Sequence, residues 1–343
     1  LRAEFAGYRA VSAAVCGLLW LGPAPAGALA QTSSVAEPEA VVRGLPPAGH
    51  AEAVALCPDI SERPEVFTVR DGDGLAGTLA RAGYRVYLVD PWDSPEARAE
   101  GFDGVVRKVY PDLLRRLAAL SGSDRVTWIG HGLCGMLPMA AAARPAEKLP
   151  EVRWVALGTR FRWSLPSPLL IRWLRSWRAG EAALPQLVQS VFLTGLRSRS
   201  GPRLSSAPSS LDQHGDPAAV LESLRRNSVA RPPPMALVKD LLRWFEAGVA
   251  ADREGWVDYS RGLARVGGPA LLVAGATDPV APPEDVLSGL DAIPDAARVH
   301  YRLLSRASGD REEYGHLGML LSRHSEHDVD VMLRRWLATG KAP

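Results

Sequence analysis

Val126-Thr-Trp-Ile129, then Gly130-His131-Gly132-Leu133-Cys134-Gly135, then Met136 to Ala143, is the stretch whose reading decides this chain. A β-branched and aromatic run predicts a buried strand, the glycines predict a sharp turn, and the alanines predict a helix. Outward from it, Ala53–Leu56, Tyr84–Val89, Val152–Leu157, Pro269–Ala274 and Arg298–Leu304 are further short apolar runs of strand type. Between them lie helical patterns. Asp73 to Gly83 is amphipathic with an aspartate start and a glycine stop, and the chain closes on a helix ending near Trp336. Phe102 to Leu120 repeats Val105, Val109, Leu113, Leu117 and Leu120 at helical spacing, with Pro111 starting or kinking its second half. Strand and helix in alternation make parallel βαβ units, so the fold class is α/β with a doubly wound, mostly parallel sheet. No internal repeat is visible.

The knot at 130–135 resembles the nucleophile elbow G-x-S-x-G of the α/β-hydrolase family, in particular its lipases and esterases. In place of the serine stands Gly132, and in place of the last glycine stands Cys134. The resemblance implies an acid and then a histidine further along the chain. Both have a counterpart: Asp278 in Gly275-Ala-Thr-Asp-Pro-Val-Ala-Pro-Pro283, and His316 in Tyr314-Gly-His-Leu317. Asp278 as a turn-capping carboxylate and His316 as an ordinary loop histidine are the bland alternatives, and order and context favour the catalytic positions. His131 reads as an elbow residue packing near the turn. The family pattern therefore describes a hydrolase that keeps its helpers and lacks its nucleophile, a pseudoenzyme. Glycine also relaxes an elbow conformation that costs other residues about 1–3 kcal/mol.

The resemblance further implies two backbone donors for an oxyanion, one from Leu133 and one from the loop Cys57-Pro58-Asp59-Ile60. Pro58 has no N–H and an ionised Asp59 repels negative charge, so the loop donor is expected at Ile60, or at Ser61. The thiol of Cys134 is the alternative nucleophile, though it stands two positions past the elbow tip. A second alternative is an active ester hydrolase in which His316 and Asp278 activate a water.

The chain has 343 residues, 47% apolar and 23% charged, enough for one large α/β domain with an insertion. A net charge of +2 argues against a nucleic-acid surface. Arg2 and Arg9, an apolar run from Val11 to Leu21 and Ala28-Leu-Ala30 read as a signal peptide over 1–30, cleaved before Gln31. The expected product is secreted or periplasmic, with no stable membrane span after cleavage. Cleavage leaves Cys57 and Cys134, which the resemblance places after neighbouring strands. They either form a disulfide or remain two buried thiols, and a Cα separation above about 7 Å excludes the bond.

The remaining boundaries are a linker at 31–50, a first core segment at 51–160, a helical cap insertion at 161–262 and a second core segment at 263–343. Within the cap, Leu169, Leu170, Trp173, Leu174 and Trp177 form one apolar stripe and Leu184 to Phe192 another, around a Ser/Pro/Gly-rich segment at 199–215. Such stripes are ordinarily core packing; the sharper reading is a lid whose apolar underside covers an apolar or acyl small-molecule ligand. Nothing in the sequence asks for a metal, nucleotide or flavin cofactor, and oligomeric state is not encoded in any motif.

Overall fold

The computed structural model describes residues 39–40, 52–144 apart from 69 and 71–73, 148–163, and 231–341 apart from 232, 279 and 294–297. The expected signal peptide, both apolar stripes of the cap and the segment 199–215 lie outside the described residues.

Among the described residues seven strands form one sheet: β1 (Glu39–Ala40), β2 (Ala53–Cys57), β3 (Arg85–Leu88), β4 (Arg125–His131), β5 (Glu151–Leu157), β6 (Ala270–Gly275) and β7 (Val299–Leu304), in the order β1-β3-β2-β4-β5-β6-β7. Strands β2 to β7 are parallel to their neighbours, and the two-residue β1 pairs antiparallel with β3. β1 falls inside the stretch expected as a linker.

Strands β2 and β6 are buried along their whole length, as a parallel sheet covered on both faces requires. Alternate side chains feed two apolar clusters. Ala53, Ala55, Trp128, Trp154 and Leu272 face one side; Val54, Leu56, Ile129, Val155 and Leu271 face the other. The first side is covered by α2 (Pro95–Gly104), α3 (Tyr110–Ser121), α4 (Leu137–Ala142) and α5 (Met235–Ala247), and the second by α1 (Gly74–Arg81), α7 (Gly318–Leu321) and α8 (Val331–Thr339). A short α6 (Pro283–Leu287) follows β6.

The helix expected over Phe102–Leu120 is present: after a kink at Gly101 (φ +65°) a helical run starts at Phe102, the last part of α2, passes through a π turn at Val105–Val109 and continues as α3, with Pro111 in its first turn. Upstream, Ser94 caps α2 by accepting the Ala97 N–H at 3.0 Å. The described end of the expected cap, 231–262, packs into the main apolar cluster. There Phe102 meets Trp244 and Tyr259 edge-on at 5.0 and 5.4 Å between ring centroids. Asp240, on the buried face of α5, accepts the Phe102 N–H at 2.8 Å.

The chain leaves β2 towards β3 on one side and later returns to place β4 on the other side of β2. That reversal opens a crevice at the carboxyl ends of β2 and β4, the place where open α/β sheets put their sites.

Candidate active site

Four segments meet at this crevice. The first follows β2 and carries Pro58, Asp59 and Glu62. The second is the turn after β4, where Gly132 adopts φ +55° and starts a tight helical turn over Gly132–Met136. This is a left-handed residue at the end of a buried strand, a conformation glycine takes without strain. The third and fourth follow β6 and β7 and bring Asp278 and His316.

Cys57 ends β2 and Cys134 lies in the elbow turn; they form a disulfide across the crevice, with 5.9 Å between their Cα atoms. This settles the alternative between bond and free thiols. It also corrects the reading of Cys134 as a reserve nucleophile, because a sulfur committed to a disulfide has no thiolate to offer.

His316 and Asp278 are brought together as expected. His316 Nδ1 donates to Asp278 Oδ2 at 2.8 Å, while Asp278 Oδ1 accepts the Val280 and Ala281 N–H groups at 2.8 and 2.9 Å. Both side chains are buried.

At the elbow the geometry holds something the sequence reading missed. The Asp59 carboxylate fills the space in front of Gly132: a Cβ there would lie 2.7 Å from Asp59 Oδ2 and nearer still to Oδ1 and Cγ. Asp59 Oδ1 accepts the Leu133 N–H at 2.7 Å, taking up the donor expected to serve an oxyanion. Asp59 Oδ2 stands 3.6 Å from His316 Nε2, an ion-pair distance, and Nε2 has no hydrogen-bond partner among the described residues. The result is a row of carboxylate, imidazole and carboxylate. Ile60, the other expected donor, follows Asp59 directly and buries its side chain in the core. The available signal was the coincidence of an acid in this loop with a missing side chain at the elbow.

A second acid–histidine pair lies behind the first. His131 is fully buried, its Nδ1 2.9 Å from Glu62 Oε2 and its Nε2 3.2 Å from the His316 carbonyl oxygen, to which it donates. Glu62 Oε2 also accepts the Asp59 N–H at 3.0 Å. The two imidazole rings lie 4.2 Å apart with 34° between their planes. Glu62, His131 and His316 present ligand-type atoms within 4.8 Å of one another, the one such trio among the described residues. Because Glu62 Oε2 and both His131 nitrogens already have partners, the trio is a hydrogen-bonded network, with no open set of lone pairs for a metal.

The loop carrying Asp59 is held from several sides. Trp92 Nε1 donates to the Pro58 carbonyl at 2.7 Å, and the Arg231 N–H donates to the Ser61 carbonyl at 2.9 Å. The Arg231 guanidinium forks onto both oxygens of Asp90.

Burial opposes charge on both site groups, yet their neighbours outweigh it. Burial alone would discourage a proton on His316, but the charges of Asp278 and Asp59 hold its pKa well above the ordinary 6.5. For Asp59, burial is offset by the hydrogen bond and charge of His316, the charge of His131 and the Leu133 N–H, which together bring it below the ordinary 3.8. Both shifts favour the charged forms of Asp59 and His316.

A family model described as the alpha/beta hydrolase fold matches residues 70–303, so this chain belongs to the α/β-hydrolase fold family. No curated protein matches it. Among solved structures it is similar to a thermophilic esterase from Thermogutta terrifontis, with a TM-score of 0.55, 18% identity, and coverage of 84% of this chain and 90% of that one. It is likewise similar to an enol-lactonase from Burkholderia xenovorans LB400, at TM-score 0.55, 14% identity and coverage of 84% and 92%. A bromoperoxidase from Bacillus anthracis matches at TM-score 0.54, 16% identity and coverage of 84% and 92%. At such identities the likeness establishes the fold.

Proposed function

We propose that this chain is an exported, degenerate member of the hydrolase fold that has given up serine-dependent ester hydrolysis and holds an apolar or acyl ligand beneath residues 161–262. One observation carries the reading: the Asp59 carboxylate lies in the space of the missing elbow side chain and takes the Leu133 N–H. A negative charge already seated there repels the oxyanion of acyl transfer. Export is supported by the composition of residues 1–30 and by the disulfide, which suits an oxidising compartment.

The competing reading, an ester hydrolase whose water is activated by His316 and Asp278, needs a neutral imidazole at rest. The two flanking carboxylates favour the imidazolium instead. The test is hydrolysis of p-nitrophenyl acetate and p-nitrophenyl decanoate by the purified protein. We expect the buffer rate for both. Turnover in the native chain that disappears in His316→Ala would overturn the proposal.

A further inference from the structure

Away from the crevice, among the helices that cover the second face of the sheet, α1 packs against the π turn Glu326–Asp330 that leads into α8. Between them lies a hollow of about 180 Å³. One wall is the end of α1, with Thr78, Arg81 and the small Ala82. The other wall carries Glu326, His327, Val331 and Arg334. An apolar cavity of roughly 150 Å³ holds a benzene molecule, so this hollow has room for a small organic ligand.

Charge decides which kind. Two guanidiniums and an imidazole, which keeps an N–H in either tautomer, line the hollow with a single carboxylate, Glu326. The buried Arg70–Asp330 pair beside Thr78 neutralises itself. Thr78 sets Arg81 in place: its hydroxyl accepts from Arg81 Nη2 at 3.3 Å and donates to the Gly74 carbonyl at 3.1 Å. Val331, an apolar side chain 49% exposed, lies between His327 and Arg334 along the opposite wall. A recess in which one sign of charge prevails concentrates counter-ions, and planar guanidiniums match the oxygens of a phosphate in pairs.

We infer that this hollow binds a small phosphate monoester that also carries hydroxyl groups, a polyol phosphate. Its phosphate lies on Arg81 and Arg334, a hydroxyl donates to Glu326, and the carbon chain runs along Val331. Glu326 separates this ligand from a bare anion, because an ionised carboxylate repels a phosphate and accepts an alcohol O–H. A ligand with both ends uses every group in the hollow. The site shares no residue with the crevice, so the inference is independent of the function proposed there.

The experiment is calorimetric titration of the purified full chain with sn-glycerol 3-phosphate, at an ionic strength held constant with sodium chloride. We expect one site with a dissociation constant on the order of 1 mM or tighter. Arg81→Gln and Arg334→Gln should each weaken binding about tenfold. Arg115→Gln, which removes an exposed arginine on α3, should leave it unchanged, with circular dichroism confirming the fold of all three. Inorganic phosphate and glycerate should bind more weakly than the ester, and Glu326→Gln should erase the preference over inorganic phosphate. Absence of binding, equal weakening in Arg115→Gln, or equal affinity for glycerate or inorganic phosphate in the native chain would overturn the inference. Cosedimentation with phosphatidic acid vesicles tells a free ester from a lipid headgroup: vesicle binding that needs Arg81 and Arg334, in a chain that ignores the free ester, would also overturn it.

Discussion

Asp59 Oδ2 stands 2.7 Å from where a Cβ on Gly132 would lie, so the carboxylate of one loop and a side chain on the other cannot coexist in these positions. Gly132→Ser meets two penalties. A non-glycine residue at φ +55° is strained by about 1–3 kcal/mol, and overpacking against a tethered carboxylate adds about 1–3 kcal/mol. Urea unfolding should show a loss of about 2–6 kcal/mol for Gly132→Ser. In Gly132→Ser with Asp59→Gly the packing part is recovered and the backbone part remains. Ester turnover should emerge only in that double variant.

The row of charges predicts a particular dependence on pH. His316 has a folded pKa raised above 6.5, so its contribution to stability is complete below 6.5 and fades as pH rises towards and through the raised value. Asp59 has a folded pKa below 3.8, so its contribution is present above 3.8 and is lost as pH falls through the lowered value. Stability from this site is therefore greatest between about pH 4 and 6.5 and declines on the alkaline side. Melting temperatures of the native chain and His316→Gln across this range provide the check: the alkaline decline should flatten in the variant.

Seventy-seven positions separate Cys57 from Cys134, and closing a loop of that length stabilises the folded state by about 4 kcal/mol in the chain-entropy account. Replacing both cysteines by serine should lower the unfolding free energy by about 2–4 kcal/mol. In the folded native chain neither cysteine should react with a thiol reagent until the bond is reduced. Labelling of Cys134 without prior reduction would contradict the structure.

On the opposite face of the sheet, Arg70 and Asp330 form an ion pair in which both side chains are almost fully buried, and Arg70 also donates to the Leu320 carbonyl at 3.2 Å. Arg70→Met strands a buried carboxylate and should cost about 3–5 kcal/mol in unfolding free energy. Arg70→Met combined with Asp330→Leu should cost markedly less, since no uncompensated charge remains. Equal losses in the single and double variants would place the role of Arg70 in packing.

Much of the fold could be read in the sequence because each strand is a short apolar run bounded by helical periodicity. Strands β2 and β6, buried on both faces, are the clearest cases. The π turn at Val105–Val109 has no sequence signature of its own, because Val105, Val106 and Val109 are buried within a continuous helical run. In the site, Asp278 and His316 were legible from their motifs and order. Asp59 was not, since its role depends on the void beside Gly132, which is a property of two loops in space. The Glu62–His131 pair was missed for the same reason: its partners are 69 positions apart and meet only because β2 and β4 are neighbours.

The way the β2 loop fills the elbow also constrains the protein's history. A reverse mutation at codon 132 alone meets an occupied site, and loss of the acid at 59 alone leaves an elbow without a hydroxyl. Neither single change produces an elbow with a free hydroxyl, so a serine at 132 needs two coordinated substitutions, one in each loop.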